Sequence, residues 1–194
     1  MTAAESIPLV SVEDYLAAEL DGEVRHEYLG GYVYRREDST NRHARLTTAL
    51  IGILHPQVTR VGFEPFTVGQ LLKIGTGGQT LFYYPDGMVI PTPDAIDEHY
   101  QEKPVVIAEV LSESTRRADE GEKREAYLSA PTLKVYLLIE TDKPEVRVYR
   151  RAGDDFTTEL HRGPNAVVPL NEIEAELPLS ELYARVRFSE PRSE

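Results

Sequence analysis

The apolar run at residues 105–111 is the feature that most limits how this chain can fold. Glu109 is its one charged residue, and apolar and polar side chains do not alternate along it. A strand of this kind is expected in the centre of a sheet whose two faces are both covered, as in α/β proteins. We therefore predict an α/β fold in which a mixed central β-sheet is flanked by helices.

Glu109 is also the first candidate for a functional residue. An ionised carboxylate inside a buried strand costs several kcal/mol unless a metal ion or a cation pairs with it. Asp86 offers a second carboxylate, because it follows Pro85 directly after the apolar stretch 81–84. Two carboxylates on adjacent strands would form an oxygen-rich site that suits Mg²⁺ or Mn²⁺. Two simpler interpretations stay open: Glu109 can be the structural partner of an Arg or a Lys, and Pro-Asp is a common turn pair.

Short patterns along the chain predict the other helices and strands. Ser11 and Asp14 have the spacing of a capping box, Gly30 and Gly31 separate two alternating segments, and apolar residues recur at helical spacing after Thr40. The predicted helices are 12–20, 40–59 and 114–130. The predicted strands are 24–29, 32–34, 62–68, 70–74, 81–90, 105–111, 133–139, 146–150 and 156–161.

A second acid and a base lie on the helix that is predicted after the central strand. Asp119, Lys123 and Tyr127 follow one another at four-residue intervals, so they share one face of that helix. If this face points back towards Glu109, the Lys123 ammonium can orient a water molecule or stabilise charge on a phosphoryl group. Asp119 and Lys123 can equally form a surface ion pair, which would contribute only a few tenths of a kcal/mol to stability.

Composition limits the number of domains and the class of protein. A chain of 194 residues with 41% hydrophobic content can bury one sizeable core, so we predict one domain over 1–188 and a polar tail over 189–194. The absence of Cys excludes disulfides, thiolate zinc sites and a cysteine nucleophile. The first six residues do not resemble a signal peptide, and no run approaches the roughly 20 apolar residues of a membrane span. We therefore expect a cytoplasmic protein without a membrane segment.

Charge is the main argument against a nucleic-acid substrate. The formal net charge is −12, whereas binding to phosphates draws mainly on Lys and Arg. Part of this acidity lies in a Pro-rich loop with Asp94, Asp97 and Glu98, which we expect to face solvent.

The order of the polar residues resembles the Uma-type family of restriction-endonuclease-like proteins, which is assigned to the PD-(D/E)xK nuclease superfamily. The similarity covers residues 12–183, and residues 109–127 are its most specific part. It implies a restriction-endonuclease-like core, in which a helix precedes a β-meander that is followed by a crossover helix and a further strand. The residues that carry it are Glu27, Asn41-Arg42-His43, Pro85-Asp86, Glu109-Val110-Leu111-Ser112, Ser114-Thr115-Arg116-Arg117, Asp119 and Lys123.

The resemblance also implies roles for these positions. Asp86 and Glu109 would be catalytic metal ligands for Mg²⁺ or Mn²⁺, and the backbone carbonyl of Val110 would be a third ligand. The simplest superfamily pattern has a Lys two residues after the Glu, but Leu111 occupies that place here. The missing catalytic cation would then come from Lys123 on the following helix. The accessory residues would be Glu27 and Asp119 as further acids and His43 as a substrate contact or proton shuttle.

These expectations together predict a metal-dependent endonuclease that acts on DNA as a homodimer, one subunit for each strand. Two other classes stay open. A catalytically degenerate nuclease fold that serves as a binding or assembly module is favoured by the net charge and by Gly87-Met88, where bulkier β-branched residues would be expected. A hydrolase of another substrate, such as a glycosidase with two carboxylates, is disfavoured because the chain has no Trp for stacking on sugars.

Overall fold

The computed structural model describes residues 9–36, 39–92 and 99–188. The predicted tail at 189–194 and the predicted acidic loop with Asp94, Asp97 and Glu98 lie outside these ranges. The helices of the described ranges are α1 (Val12–Asp21), α2 (Asn41–Val58), α3 (Arg116–Glu120), α4 (Glu122–Ser129) and α5 (Leu179–Leu182). The strands are β1 (His26–Leu29), β2 (Tyr32–Arg35), β3 (Phe63–Thr67), β4 (Leu71–Thr76), β5 (Gln79–Tyr83), β6 (Gly87–Pro91), β7 (Tyr100–Gln101), β8 (Val106–Val110), β9 (Val135–Ile139), β10 (Glu145–Ala152), β11 (Asp155–Arg162), β12 (Val167–Leu170) and β13 (Ala175–Pro178).

A mixed six-stranded sheet forms the centre of the fold, with the strand order β11-β10-β9-β8-β6-β3. β8 and β9 are parallel, and the other neighbours are antiparallel. All five residues of β8 are buried, as the apolar run predicts for a strand covered on both faces. The prediction of an α/β fold with a mixed central sheet is therefore confirmed.

A second sheet of five strands, in the order β2-β1-β5-β4-β7, lies next to the central sheet. The chain crosses from β5 in this sheet to β6 in the central sheet through Tyr84, Pro85 and Asp86. The prediction of one strand over 81–90 is wrong, because Pro85 lacks the N–H that a continuous ladder needs. The expected β-meander is confirmed in the central sheet: β3, β6 and β8 are antiparallel neighbours, and β4 and β5, which pair with each other in the second sheet, are inserted between β3 and β6. α3 and α4 then lead to β9, which is parallel to β8.

Helices and a hairpin cover the outer faces of the two sheets. Apolar residues of α2, of the β12–β13 hairpin and of α5 pack on one face of the central sheet, where Leu50, Val110 and Leu177 are fully buried. The opposite face packs against the second sheet and α4, and Tyr127 of α4 is fully buried there. Tyr15 of α1 belongs to a smaller cluster with residues of the second sheet. The short β12, β13 and α5 were not predicted from the sequence.

The helix that was predicted at 114–130 is divided into α3 and α4. The division occurs at Gly121, where an added Cβ would lie 2.7 Å from the backbone oxygen of Arg117. Glycine therefore permits a close approach of the two helices that any other residue would disturb. The prediction of one continuous helix is wrong, although Asp119 and Lys123 still lie close together across the break.

None of the helices in the described part of the chain is long and apolar enough to cross a membrane.

Candidate functional site

Charged residues from five parts of the chain line a cavity of about 230 Å³. The cavity lies between the β1–β2 hairpin, the start of α2, the crossing before β6, the end of β8, and α3 with α4. All of the predicted site residues except Val110 line this cavity. Val110 does not line it, but its backbone N–H points to Asp86. The predicted residues that do line it are Glu27, His43, Asp86, Glu109, Asp119 and Lys123.

Asp86 is held in place by three donors. The N–H of Val110 donates to its Oδ2 at 2.9 Å, and the guanidinium of Arg36 donates to its Oδ1 at 2.9 Å. Nε2 of His43 lies 2.8 Å from Oδ2, and it must carry a proton because an ionised carboxylate only accepts hydrogen bonds. Burial alone would raise the pKa of Asp86, but His43, Val110 and Arg36 together hold it below its usual value. Asp86 is therefore a buried carboxylate that stays ionised.

Glu109 lies beside Asp86 but experiences the opposite electrostatic balance. Its Oε2 accepts the backbone N–H of Asp86 at 3.2 Å, and its Oε1 accepts the hydroxyl of Tyr127 at 2.8 Å. Burial is the largest cause that raises its pKa well above the usual value, and the charges of Asp86 and Asp119 add to it, against the attraction of Lys123. A cation that entered the cavity would favour the ionised form of Glu109.

Lys123 connects three of the acids. Its Nζ lies 2.8 Å from Oε1 of Glu27, and 3.6 Å from both Oε1 of Glu109 and Oδ1 of Asp119. Only 7% of Lys123 and 2% of Asp119 are exposed, so their pair is not a surface ion pair. Burial would lower the pKa of Lys123, but Glu109, Glu27 and Asp119 raise it. Lys123 is therefore a permanent cation and cannot act as a general base.

Two buried polar atoms at the cavity lack a hydrogen bond within the described residues. They are Oδ1 of Asp119 and Nδ1 of His43. Burial raises the pKa of Asp119, although Lys123 opposes this. Asp119 is thus an acid that is poorly satisfied by the surrounding protein, and it adds to the negative charge that faces the cavity.

The balance of charges favours a bound cation. Five acids line the cavity, whereas its permanent cations are Arg36, Lys123 and the exposed Arg35. The donor atoms are carboxylate oxygens, which suit Mg²⁺ or Mn²⁺ rather than zinc or copper. Among the described residues no group of three or more His, Cys, Asp or Glu has the geometry to hold a metal by itself. This does not argue against Mg²⁺, which usually binds through one or two carboxylates and keeps several waters.

Sequence reasoning missed two residues of this site. Arg36 contacts Asp86 across 50 positions of sequence, and no local pattern signals such a contact. Tyr127 was seen to share a helix face with Asp119 and Lys123, but no role was assigned to it. The four-residue spacing was the available signal, because a helix face that carries an acid and a base towards Glu109 carries Tyr127 there too.

Residues 12–182 match the model of the Uma2 family, which is described as "Putative restriction endonuclease". The chain belongs to the Uma2 family. The resemblance that was inferred from the sequence is therefore confirmed.

Uma2 relatives of this chain include two proteins from the cyanobacterium Synechocystis sp. "Uncharacterized protein sll1609" is 29% identical over 173 residues, which cover 87% of this chain and 96% of the relative. "Uncharacterized protein slr1290" is 29% identical over 152 residues, which cover 76% of this chain and 77% of the relative.

A solved structure shares the Uma2 fold seen here. It is the crystal structure of "a putative nuclease belonging to DUF820" from Anabaena variabilis, with a TM-score of 0.75 and 18% sequence identity. The superposition covers 90% of this chain and 98% of the other. At this level of identity the comparison establishes the common fold.

Proposed function

We propose that this Uma2 protein is a Mg²⁺- or Mn²⁺-dependent nuclease that hydrolyses phosphodiester bonds of DNA. The observation that carries the proposal is that Asp86, Glu109 and Lys123 line one cavity, in which the backbone N–H of Asp86 donates to the Glu109 carboxylate at 3.2 Å. The family description supports a nuclease.

Asp86 and Glu109 are the residues that would hold the metal ion. Oδ1 of Asp86 and Oε2 of Glu109 each accept one hydrogen bond within the described residues, which leaves a lone pair on each oxygen. The backbone carbonyl of Val110 stays a proposed third ligand. When bound, the ion would lower the pKa of a coordinated water and neutralise charge on the phosphoryl group.

The remaining groups position these two carboxylates and supply positive charge. The Tyr127 hydroxyl orients Glu109, and His43 with Arg36 orients Asp86. Because Lys123 stays protonated, its role is to stabilise negative charge on the phosphate or to orient the attacking water. Glu27 holds Lys123 by the shortest of its three ion pairs.

The proposal is tested by incubating the protein with a supercoiled plasmid and with a single-stranded circular DNA in the presence of Mn²⁺ or Mg²⁺. Glu109→Gln and Lys123→Ala should each lower the rate of cleavage by about 100-fold or more, as the loss of one group that stabilises the transition state does. Glu102→Gln is the matched control, because Glu102 is exposed and pairs with Lys73 on the surface. Cleavage of both DNAs that persists in Glu109→Gln and in Lys123→Ala would contradict the proposal.

One argument for a degenerate fold is weakened by the packing around Gly87. An added Cβ there would lie 3.0 Å from Cδ2 of Leu50. Gly87 therefore lets α2 approach the sheet next to Asp86, and the approach of α2 also carries His43 to Asp86. The net charge remains the argument for a binding or assembly module. The predicted homodimer also remains a proposal, which sedimentation equilibrium would test.

A further inference from the structure

Two exposed tyrosines lie on β2, and one of them, Tyr34, lines the cavity. Tyr32 is 48% exposed and Tyr34 is 53% exposed. Neither hydroxyl makes a hydrogen bond within the described residues, so the rings are not held there by polar contacts. Exposed aromatic side chains that lie next to one another are unfavourable in water, and they commonly mark a contact surface.

The two tyrosines share a strand face with Arg36. Side chains two positions apart point to the same side of a strand and are separated by about 6.7 Å along it. The extended pairing continues to Arg36, whose N–H donates to the carbonyl of Arg25 at 2.9 Å. Tyr34 lies opposite Glu27 in the β1–β2 register, and both line the cavity. Tyr32, Tyr34 and Arg36 thus form a line, which we call the β2 stripe, that runs from solvent to Asp86.

Local charge along this part of the chain is opposite to the net charge of the protein. Residues 32–45 contain Arg35, Arg36, Arg42 and Arg45 against the two acids Glu37 and Asp38, so their formal charge is positive. Arg36 contacts Asp86 with one nitrogen of a guanidinium that has five donors, and its side chain is 20% exposed. It can therefore bind a phosphate while it remains bound to Asp86.

The depth of the carboxylates limits what can reach them. Asp86 is 3% exposed and Glu109 is 2% exposed, at a cavity of about 230 Å³. This volume is below the range of about 300–1,000 Å³ that is usual for small-molecule sites. Each backbone of a duplex stays base-paired to a second strand. A single strand can instead place one phosphate in the cavity and turn its bases outwards.

We propose that the β2 stripe binds single-stranded nucleic acid, with successive bases stacked on Tyr32 and Tyr34 and the next phosphate at Arg36. This inference rests on the proposed nuclease function and names its substrate class. Stacking on aromatic rings combined with a cationic path for the backbone is the general chemistry of single-strand binding. A single-stranded substrate would also remove the need for a dimer that addresses two strands.

Binding is measured by fluorescence anisotropy with a short labelled oligonucleotide, alone and annealed to its complement, in EDTA. The parent protein carries Glu109→Gln, so that binding is observed without hydrolysis. We expect the single strand to bind at least about tenfold more tightly than the duplex. Tyr32→Ala and Tyr34→Ala should each weaken single-strand binding at least about fivefold, which corresponds to about 1 kcal/mol for one stacked base.

Two controls separate stacking from a structural effect. Tyr34→Phe keeps the ring and should bind the single strand within about twofold of the parent. Val33→Ala changes an equally exposed residue on the opposite face of the same strand and should also leave binding within about twofold.

Three outcomes would overturn the inference. The first is that duplex and single strand bind equally well, and the second is that Tyr32→Ala and Tyr34→Ala leave single-strand binding unchanged. The third is that the protein sediments as a dimer, which the same variants convert to a monomer without loss of DNA binding. The last result would assign the stripe to a second copy of this chain, since β2 is an edge strand of its sheet within the described residues. Cleavage of plasmid by the wild-type protein with any of these outcomes would leave the proposed nuclease function intact and remove only the single-strand preference.

Discussion

At the scale of residues, the carboxylates of Asp86 and Glu109 line the same cavity but are stabilised in opposite protonation states. Asp86 receives hydrogen bonds from His43, Val110 and Arg36, which favour its ionised form. Glu109 is buried beside other acids, and this favours its protonated form. Neighbouring acids whose pKa values are shifted in opposite directions are common at functional sites, where a reactive arrangement lowers the stability of the fold.

Glu109→Gln should stabilise the metal-free protein above neutral pH. The folded-state pKa of Glu109 is raised above its unfolded value, so folding holds a proton that the unfolded chain releases. The contribution of Glu109 to the free energy of unfolding is fully present below its unfolded-state pKa of about 4.3. It is lost as pH rises through the folded-state pKa. Gln resembles the protonated form, so the variant should not show this loss.

Thermal unfolding in EDTA at several pH values measures this effect. We expect the Tm of Glu109→Gln to exceed that of the wild type by about 2–4 °C at pH 8, as a gain of about 1 kcal/mol produces in a chain of this size. The difference should shrink at acidic pH. Glu102→Gln, at an exposed position, should follow the wild type. A variant that is less stable than the wild type at pH 8 would show that Glu109 stabilises the fold in its ionised form.

At the scale of elements, the break between α3 and α4 sets where Lys123 lies. Asp119 lies in the last turn of α3 and Lys123 in the first turn of α4, and Nζ of Lys123 remains 3.6 Å from Oδ1 of Asp119 although Gly121 separates the two helices. The hydroxyl of Tyr136 on β9 donates to the carbonyl of Asp119 at 3.0 Å and anchors this turn to the central sheet. The amino-acid sequence indicated a helix here, but the periodic pattern did not reveal the close contact that Gly121 permits.

Gly121→Ala should disturb the site as well as the fold. The new Cβ would lie 2.7 Å from the backbone oxygen of Arg117, so α3 and α4 must move apart. We expect a loss of stability of about 1–3 kcal/mol, as for other overpacked positions, and a loss of nuclease rate through the displaced Lys123. Chemical denaturation and the plasmid assay measure the two effects.

Gly52→Ala is the matched control for this prediction. Gly52 lies inside α2, and an added Cβ there meets nothing within 4 Å. Alanine should therefore stabilise this helix by about 0.5–1 kcal/mol and leave the nuclease rate unchanged. If Gly121→Ala behaved like Gly52→Ala, the close contact at the helix break would have no effect on the site.

At the scale of the whole molecule, the site is assembled where the two sheets meet. The crossing from β5 to β6 places Asp86 beside β8, α2 covers the central sheet from one side, and α4 lies on the other side with the second sheet. Each of these parts of the fold therefore contributes at least one titratable group to the cavity. A cation bound there would link these parts and should stabilise the whole fold rather than one element.

Mn²⁺ or Mg²⁺ should raise the Tm of the wild-type protein. A ligand that binds only the folded state stabilises it by about 2.7 kcal/mol at 100 times its Kd, which is several degrees for a chain of this length. Asp86→Ala should abolish the shift because it removes a proposed ligand. Asp154→Ala, at an exposed turn, should retain it. An equal shift in Asp86→Ala would place the metal elsewhere on the protein.

The sequence by itself determined the character of each segment. The unbroken apolar run predicted that β8 is buried on both faces, the two glycines predicted the β1–β2 hairpin, and the order of the polar residues predicted the family. These inferences succeed because burial and turn geometry depend on neighbouring residues, which a local pattern records.

Only the tertiary structure decided which groups meet. Pro85 is visible in the sequence, but the sequence does not show that the chain passes from one sheet to the other there. No pattern of neighbouring residues shows that Arg36 contacts Asp86 or that Tyr127 contacts Glu109. Such contacts depend on the order of strands in the two sheets and on how closely the helices approach them. The physical reason is that long-range packing is set by the whole core, so the pKa of a buried acid is decided by neighbours that are distant in sequence.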